Sequence, residues 1–262
     1  MKTCIILFFL FGLLADSPEQ KTNAWQTCKG SFFDIRYTAA DSAYIFEYKD
    51  IIVNGRRDVI GFFGSTYDKK FDVVVHPDRA SIDSTWAHDW KEPGFTSACW
   101  MVASGVATRI DMISPHRWDE YSCEHHYADK LKRQQLITHE LVHVFHGQAN
   151  SSGDFSKVDR IDWFVEGLAA YVSGQVDNAV LAKVKAAVND QTIPASLDKF
   201  WSGNLRYGLS GSVVMFIDKR YGRVLLKTLL KCMTKEEILG LLHTDESSFL
   251  NDWKKFMEDA KI

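Results

Sequence analysis

The chain has 262 residues with a net charge of −3, 46% hydrophobic and 13% aromatic residues. That composition excludes a disordered chain, and the slight negative charge gives no basic footprint for nucleic acid. The length suits one large domain or two small lobes, and no internal repeat or low-complexity segment divides it.

In chain order, Met1 to Ser17 has the form of a secretory signal. Lys2 gives the positive start, Cys4 to Leu14 an eleven-residue apolar run, and Ala15-Asp16-Ser17 the small residues of a cleavage site. Eleven residues are too few to span a bilayer, so residues 18–262 are expected as one domain with no stable membrane insertion. Ser31 to Thr38 alternates as a strand, Asp41 to Gly64 fits either helix or strand, and Phe71 to His76 is a β-branched run. Val106 to Ile113 reads as a further strand. Lys130, Lys132 and Arg133 read as the solvated start of a helix that Gly147 stops. Beyond it the chain turns helical: a segment around Glu166, then Asp177 to Val188, a turn near Pro194, Arg206 to Tyr221, and Val224 to Met233. Thr234-Lys235-Glu236-Glu237 is a capping box opening another helix, and Ser247 to Ala260 is amphipathic.

Removing Cys4 with the signal leaves Cys28, Cys99, Cys123 and Cys232, an even number suited to two disulfides in an oxidising compartment. They admit three pairings, of which Cys99 with Cys123 is favoured because both lie in segments leading to the Lys130 helix. Cys123 with His125 and His126 matches zinc-ligand spacing poorly. Asn150-Ser151-Ser152 is a glycosylation sequon.

The chemistry concentrates in His139-Glu140-Leu141-Val142-His143. On a helix, residues i and i+4 lie one above the other, so both imidazoles can hold one ion, with Glu140 placed to take a proton from water at the ion's open position. The chain's histidines and glutamates would produce this pattern by accident only about once in a hundred such chains. A catalytic zinc keeps three protein ligands, so a third donor is required. The candidates are His146, the acidic residues of the following loop, and Glu166. His146 lies about 10.5 Å of axial rise beyond His139, whereas Glu166 would be an isolated charge among Trp163, Phe164, Val165 and Leu168 without a partner. Gly167, Ala169 and Ala170 are small enough to let its helix approach the first. His146 and Ala149 stand where a metzincin needs Gly and His.

Trp163-Phe164-Val165-Glu166-Gly167-Leu168-Ala169-Ala170-Tyr171 matches W-x-x-E-G-x-A-x-Y, and Tyr207, Ser210, Gly211, Ser212, Val213 and Val214 echo Y-x-x-G-x-S-V. In these segments the chain resembles the gluzincin zinc metallopeptidases, especially the peptidase MA-like group that includes the aminopeptidase N type. The resemblance implies a zincin-like α+β fold: an N-terminal mixed β-sheet lobe, a C-terminal helical lobe, and the active-site helix between them. It implies one zinc ion on His139, His143 and Glu166, Glu140 as general base, Tyr207 as the donor that stabilises the transition state, and a peptide or protein substrate. It also implies a sheet-edge strand beside the active-site helix, for which Val106 to Ser114 is the segment expected. The loop between His143 and Glu166 is longer than in that group. The G-x-M-E-N segment that holds a free amino terminus is replaced by Gly105-Val106-Ala107-Thr108-Arg109. Internal cleavage is therefore as much expected as aminopeptidase action. A zincin-fold binding protein and a zinc hydrolase of non-peptide substrates are the competing readings.

Overall fold

Strand periodicity decides how the sheet is covered. In β3 (Phe71–His76), Phe71, Val73 and Val75 point to one face, where they join Ile110 and Met112 of β5 (Arg109–Ile113) in the main hydrophobic core. Ile113, one residue on, points the other way and meets Ile82, Trp86, Val102 and Trp118 in a smaller cluster. The computed structural model describes residues 24–260, and the signal-like segment Met1 to Ser17 lies outside them.

With β1 (Trp25–Cys28), β2 (Phe33–Thr38) and β4 (Ala103–Val106), these strands make a five-stranded sheet in the order β1-β2-β3-β5-β4. The three central strands are parallel and the two outer ones pair antiparallel. Helix α1 (Ile45–Phe63) crosses from β2 to β3 and supplies the main core, while α2 (Arg79–Asp89) follows β3 and supplies Ile82 and Trp86 to the smaller cluster. After the short α3 (Trp118–Tyr121) comes α4 (Lys130–Ala149). The remaining helices are α5 (Asp162–Val172), α6 (Asn178–Asn189), α7 (Arg206–Tyr221), α8 (Arg223–Leu229), α9 (Lys235–Leu241) and α10 (Glu246–Asp259). This is the expected α+β arrangement, with α4 between sheet and helices and one hydrophobic core continuous through both parts. Among the described residues no helix is long and apolar enough to cross a membrane.

Side-chain caps set several helix starts. Asp78 accepts from Ser81 N at 2.8 Å, Asp129 from Lys132 N at 3.0 Å, and Asp177 from Val180 N at 2.8 Å. Each such cap contributes about 1 kcal/mol. The expected capping box forms in shifted form: Thr234 accepts from Glu237 N at 3.2 Å, while Glu237 accepts at 2.6 Å from the N–H of Met233, the residue before the cap.

Several expectations are corrected. Val106 to Ile113 is not one strand: β4 ends at Val106, and β5 returns from Arg109 into the sheet interior. The edge strand beside α4 is thus β4, not Val106 to Ser114. The ambiguous segment is α1, whose buried Tyr48, Ile52, Gly55, Val59 and Phe63 recur at helical spacing. Gly147 does not stop α4; it lies within the last turns, where a side chain would strike Gly153 O and Ala107 N, and Asn150 caps the helix. Val224 to Met233 is helical only as far as Leu229. Arg133 is buried, donating to Glu47 Oε1 and to the Tyr127 carbonyl, both at 2.5 Å, instead of being solvated with Lys130 and Lys132.

Cys99 and Cys123 form the favoured disulfide. Among the described residues the second bridge does not form: Cys28 and Cys232 are free and pack against the main core. The sequon asparagine is structural. Asn150 is buried, and its Nδ2, the atom a glycan would occupy, donates to Leu230 O at 2.9 Å and Cys232 O at 3.0 Å.

Candidate metal centre and active site

Residues 137–147 of α4 are buried on every side, so His139, Glu140 and His143 are fixed by the surrounding core rather than by solvent-exposed turns. His139 Nε2 and His143 Nε2 lie 3.0 Å apart. From α5, Glu166 brings Oε2 to 3.3 Å from His139 Nε2 and 3.6 Å from His143 Nε2. A tetrahedral zinc with bonds of ~2.0–2.1 Å has an edge of about 3.3 Å between donors, so the three separations match that edge. These three residues are the group that could hold a metal ion among the described residues.

The tautomers suit the same purpose. His139 Nδ1 donates to Gln175 Oε1 at 2.8 Å, which leaves the lone pair on Nε2, facing the site. His143 Nδ1 is buried without a hydrogen-bond partner. Burial works against the charge of Glu166, yet His143 and His139 hold its carboxyl well below the usual carboxylate range.

Glu140 lies beside β4. A side chain at Gly105 would overlap the Glu140 carbonyl oxygen and crowd His143 Cβ, so glycine is what lets this strand press onto α4. Burial lifts the Glu140 carboxyl to about 7; His139 opposes that rise and Glu166 adds to it. Tyr207, at the start of α7, sets its ring edge-on 6.2 Å from the His139 ring. Burial and then the Glu166 charge push its hydroxyl up to about 12, so it stays protonated as a donor.

The small residues after Glu166 serve a different contact from the one expected. Gly167 faces α7, where a side chain would overlap Ser210 O, and Gly211 of α7 is crowded by Val176. The α5–α7 contact therefore carries Glu166 and Tyr207 together. The sequence brings His139, His143, Glu166, Glu140 and Tyr207 to one place; His146 points elsewhere, with its ring 4.9 Å from that of Phe155 and 5.7 Å from that of Phe164. Two residues escaped the sequence reading. Gln175 sits in the turn after α5, outside any periodic pattern, and Phe155, in the long loop after α4, stands with its ring 6.0 Å from the His143 ring. A glutamine nine residues after Glu166 carries no motif signal. His126 bonds to Asp119 at 2.8 Å and Cys123 is in the disulfide, so the second cluster of potential ligands does not assemble.

The collagenase family model matches residues 117–210, from the turn before α3 to the first turns of α7. No curated protein matches the chain. Among solved structures, the M1 zinc metallopeptidase from Deinococcus radiodurans matches with a TM-score of 0.51 at 15% identity, covering 89% of this chain and 51% of that one. A mutant of that M1 enzyme matches at 0.50 and 13% identity, covering 91% and 52%. Leukotriene A4 hydrolase from Saccharomyces cerevisiae matches at 0.48 and 10% identity, covering 90% and 38%. The chain thus spans about half the length of the M1 structures. The two M1 likenesses show the fold, and with the family match and the His139–His143–Glu166 group they bear out the resemblance to gluzincin-type zinc metallopeptidases.

Proposed function

We propose that this chain is a secreted zinc-dependent metallopeptidase that hydrolyses peptide bonds by attack of water, with Glu140 as general base. The observation that carries the reading is the trio of donor atoms on His139, His143 and Glu166, separated by 3.0, 3.3 and 3.6 Å beside a buried glutamate. One zinc ion held by these residues would supply Lewis-acid polarisation of the scissile carbonyl and a lowered pKa for water.

The chain's own groups account for the rest. Glu140, with its carboxyl raised to about 7, takes the proton from the attacking water and returns it to the leaving amine. Tyr207 keeps its proton and donates a hydrogen bond to the oxygen that gains charge. The edge of β4 offers main-chain hydrogen bonds to an extended peptide without demanding one side chain. Secretion is supported by the Lys2, Cys4 to Leu14 and Ala15-Asp16-Ser17 pattern, and a disulfide at Cys99–Cys123 fits an oxidising compartment.

The test is cleavage of a diverse unstructured peptide mixture by zinc-loaded protein, read by mass spectrometry beside Glu140→Gln. Internal cuts that vanish in the variant are expected. Loss of single amino-terminal residues would make the chain an aminopeptidase instead, and no cleavage by folded, zinc-bearing protein would overturn the peptidase reading.

A further inference from the structure

Arg206, one residue before Tyr207, is held by aromatic rings from two parts of the molecule. Its guanidinium carbon lies 4.7 Å from the Trp100 ring, 5.5 Å from Trp201 and 5.1 Å from Tyr207. Trp201 in turn sits edge-on to Tyr207 at 4.8 Å. Rings stabilise the charge through their faces, but they do not satisfy five N–H donors. Other arginines of the helical part find carboxylates: Arg160 pairs with Glu236 and Arg223 with Asp218. No carboxylate pairs with Arg206 among the described residues; the Tyr207 hydroxyl is within hydrogen-bonding reach of its guanidinium.

The box is built in advance. Trp100 follows Cys99 of the disulfide, and Arg79 fixes the same segment through the carbonyls of Ala98, Cys99 and Met101. The segment leads directly into β4, the edge strand that presses on Glu140. An extended chain lying along β4 therefore has the metal ligands at one point of its path and, near another, a half-buried guanidinium that no carboxylate neutralises among the described residues.

We propose that Arg206 is a carboxylate anchor of the substrate cleft, selecting peptides that carry a carboxylate near the cleaved bond. This rests on the peptidase reading above. A planar fork with fixed faces and free edge donors is matched bidentately by a carboxylate, and two sources present one: an Asp or Glu side chain, or the peptide's own C-terminus.

The experiment measures binding, not turnover. Zinc-loaded Glu140→Gln protein is titrated calorimetrically with matched unstructured peptides that carry Glu or Gln at successive positions, each as the C-terminal acid and as the amide. Expected is an affinity at least about tenfold higher for one carboxylate-bearing set, the size of a good charge-assisted contact. A Glu-dependent gain identifies the side chain and an acid-over-amide gain the C-terminus. Adding Arg206→Gln, checked for folding by its thermal transition, is expected to abolish the preference, with Arg206→Lys restoring part of it. Equal affinities for acidic and neutral peptides, or a preference that survives in folded Arg206→Gln, would overturn this inference alone. Failure of every peptide to bind would overturn it together with the peptidase reading.

Discussion

His139 and Gln175 are joined by a 2.8 Å hydrogen bond from Nδ1 to Oε1, made between α4 and the turn that ends α5. His143 has no equivalent partner for its Nδ1 among the described residues. One outer contact thus orients the ligand pair. In Gln175→Leu the zinc affinity, measured by chelator competition, is expected to fall about 10- to 100-fold. A change of less than threefold would mean that burial alone aligns His139.

Tyr207→Phe removes one hydroxyl and keeps the ring that packs on Trp201. Turnover of a cleaved peptide should fall about 10²- to 10³-fold while KM changes little, because the lost donor acts on charge that develops only in the transition state. A rise in KM at constant kcat would make Tyr207 a substrate-binding residue instead.

Gly105→Ala and Gly167→Ala test close approach at two contacts. Each new methyl would overlap a backbone oxygen, of Glu140 and of Ser210 respectively, so each variant should lose about 1–3 kcal/mol in denaturant unfolding. Gly105→Ala should in addition lower peptide turnover in protein that remains folded, because β4 can no longer lie against Glu140. Near-wild-type stability in both would mean that the helices and strand shift at little cost.

His146 is wholly buried, and the Leu230 backbone comes near it without forming a hydrogen bond of good geometry. Burial, with His143 adding, holds its imidazole down to about 3, against 6.5 for a free histidine. The unfolded chain therefore binds more protons than the fold. The stability from the neutral imidazole is complete above pH 6.5 and is lost as the pH falls toward 3, by roughly 5 kcal/mol at most. His146→Met should flatten this part of the acid limb of the stability curve between pH 6.5 and pH 4. An unchanged slope would show that another group controls it.

Cys99 and Cys123 close a loop with a sequence separation of 24, for which the chain-entropy estimate is about 3 kcal/mol. The double serine variant should lose close to that amount in reversible unfolding. Arg79 still ties the carbonyls of Ala98, Cys99, Met101 and Tyr121 in the native state, so the folded loop should keep its place. A much larger loss would show that the bridge shapes the native loop as well.

The candidate site was legible where chemistry is encoded by spacing. His139, Glu140 and His143 share one helix, and Glu166 was betrayed by a charge among large apolar residues. Tyr207 came only through resemblance, since nothing local separates it from a core tyrosine. What stayed hidden depends on tertiary contact. Gly167 announced a close approach without saying that α7, not α4, makes it. Arg133 looked solvated because Glu47, its partner, is 86 residues away in sequence. The β4–β5 hairpin turns at Ala107 and Thr108, neither of which is a turn-forming residue, so alternation ran on through it.

The burial of residues 137–147 has a mechanical consequence. A helix enclosed by core on all sides cannot tilt or slide without opening the apolar contacts that hold the fold together, so its amide protons should exchange with solvent only through global unfolding. On the proposed reading α4 is the floor of the substrate site and a fixed reference, and any widening that admits a peptide must come from the walls: the tethered segment before β4 on one side and the start of α7 on the other. Amides of those walls should exchange orders of magnitude sooner than those of His139 to His143, and a bound peptide should slow the walls while leaving the floor unchanged.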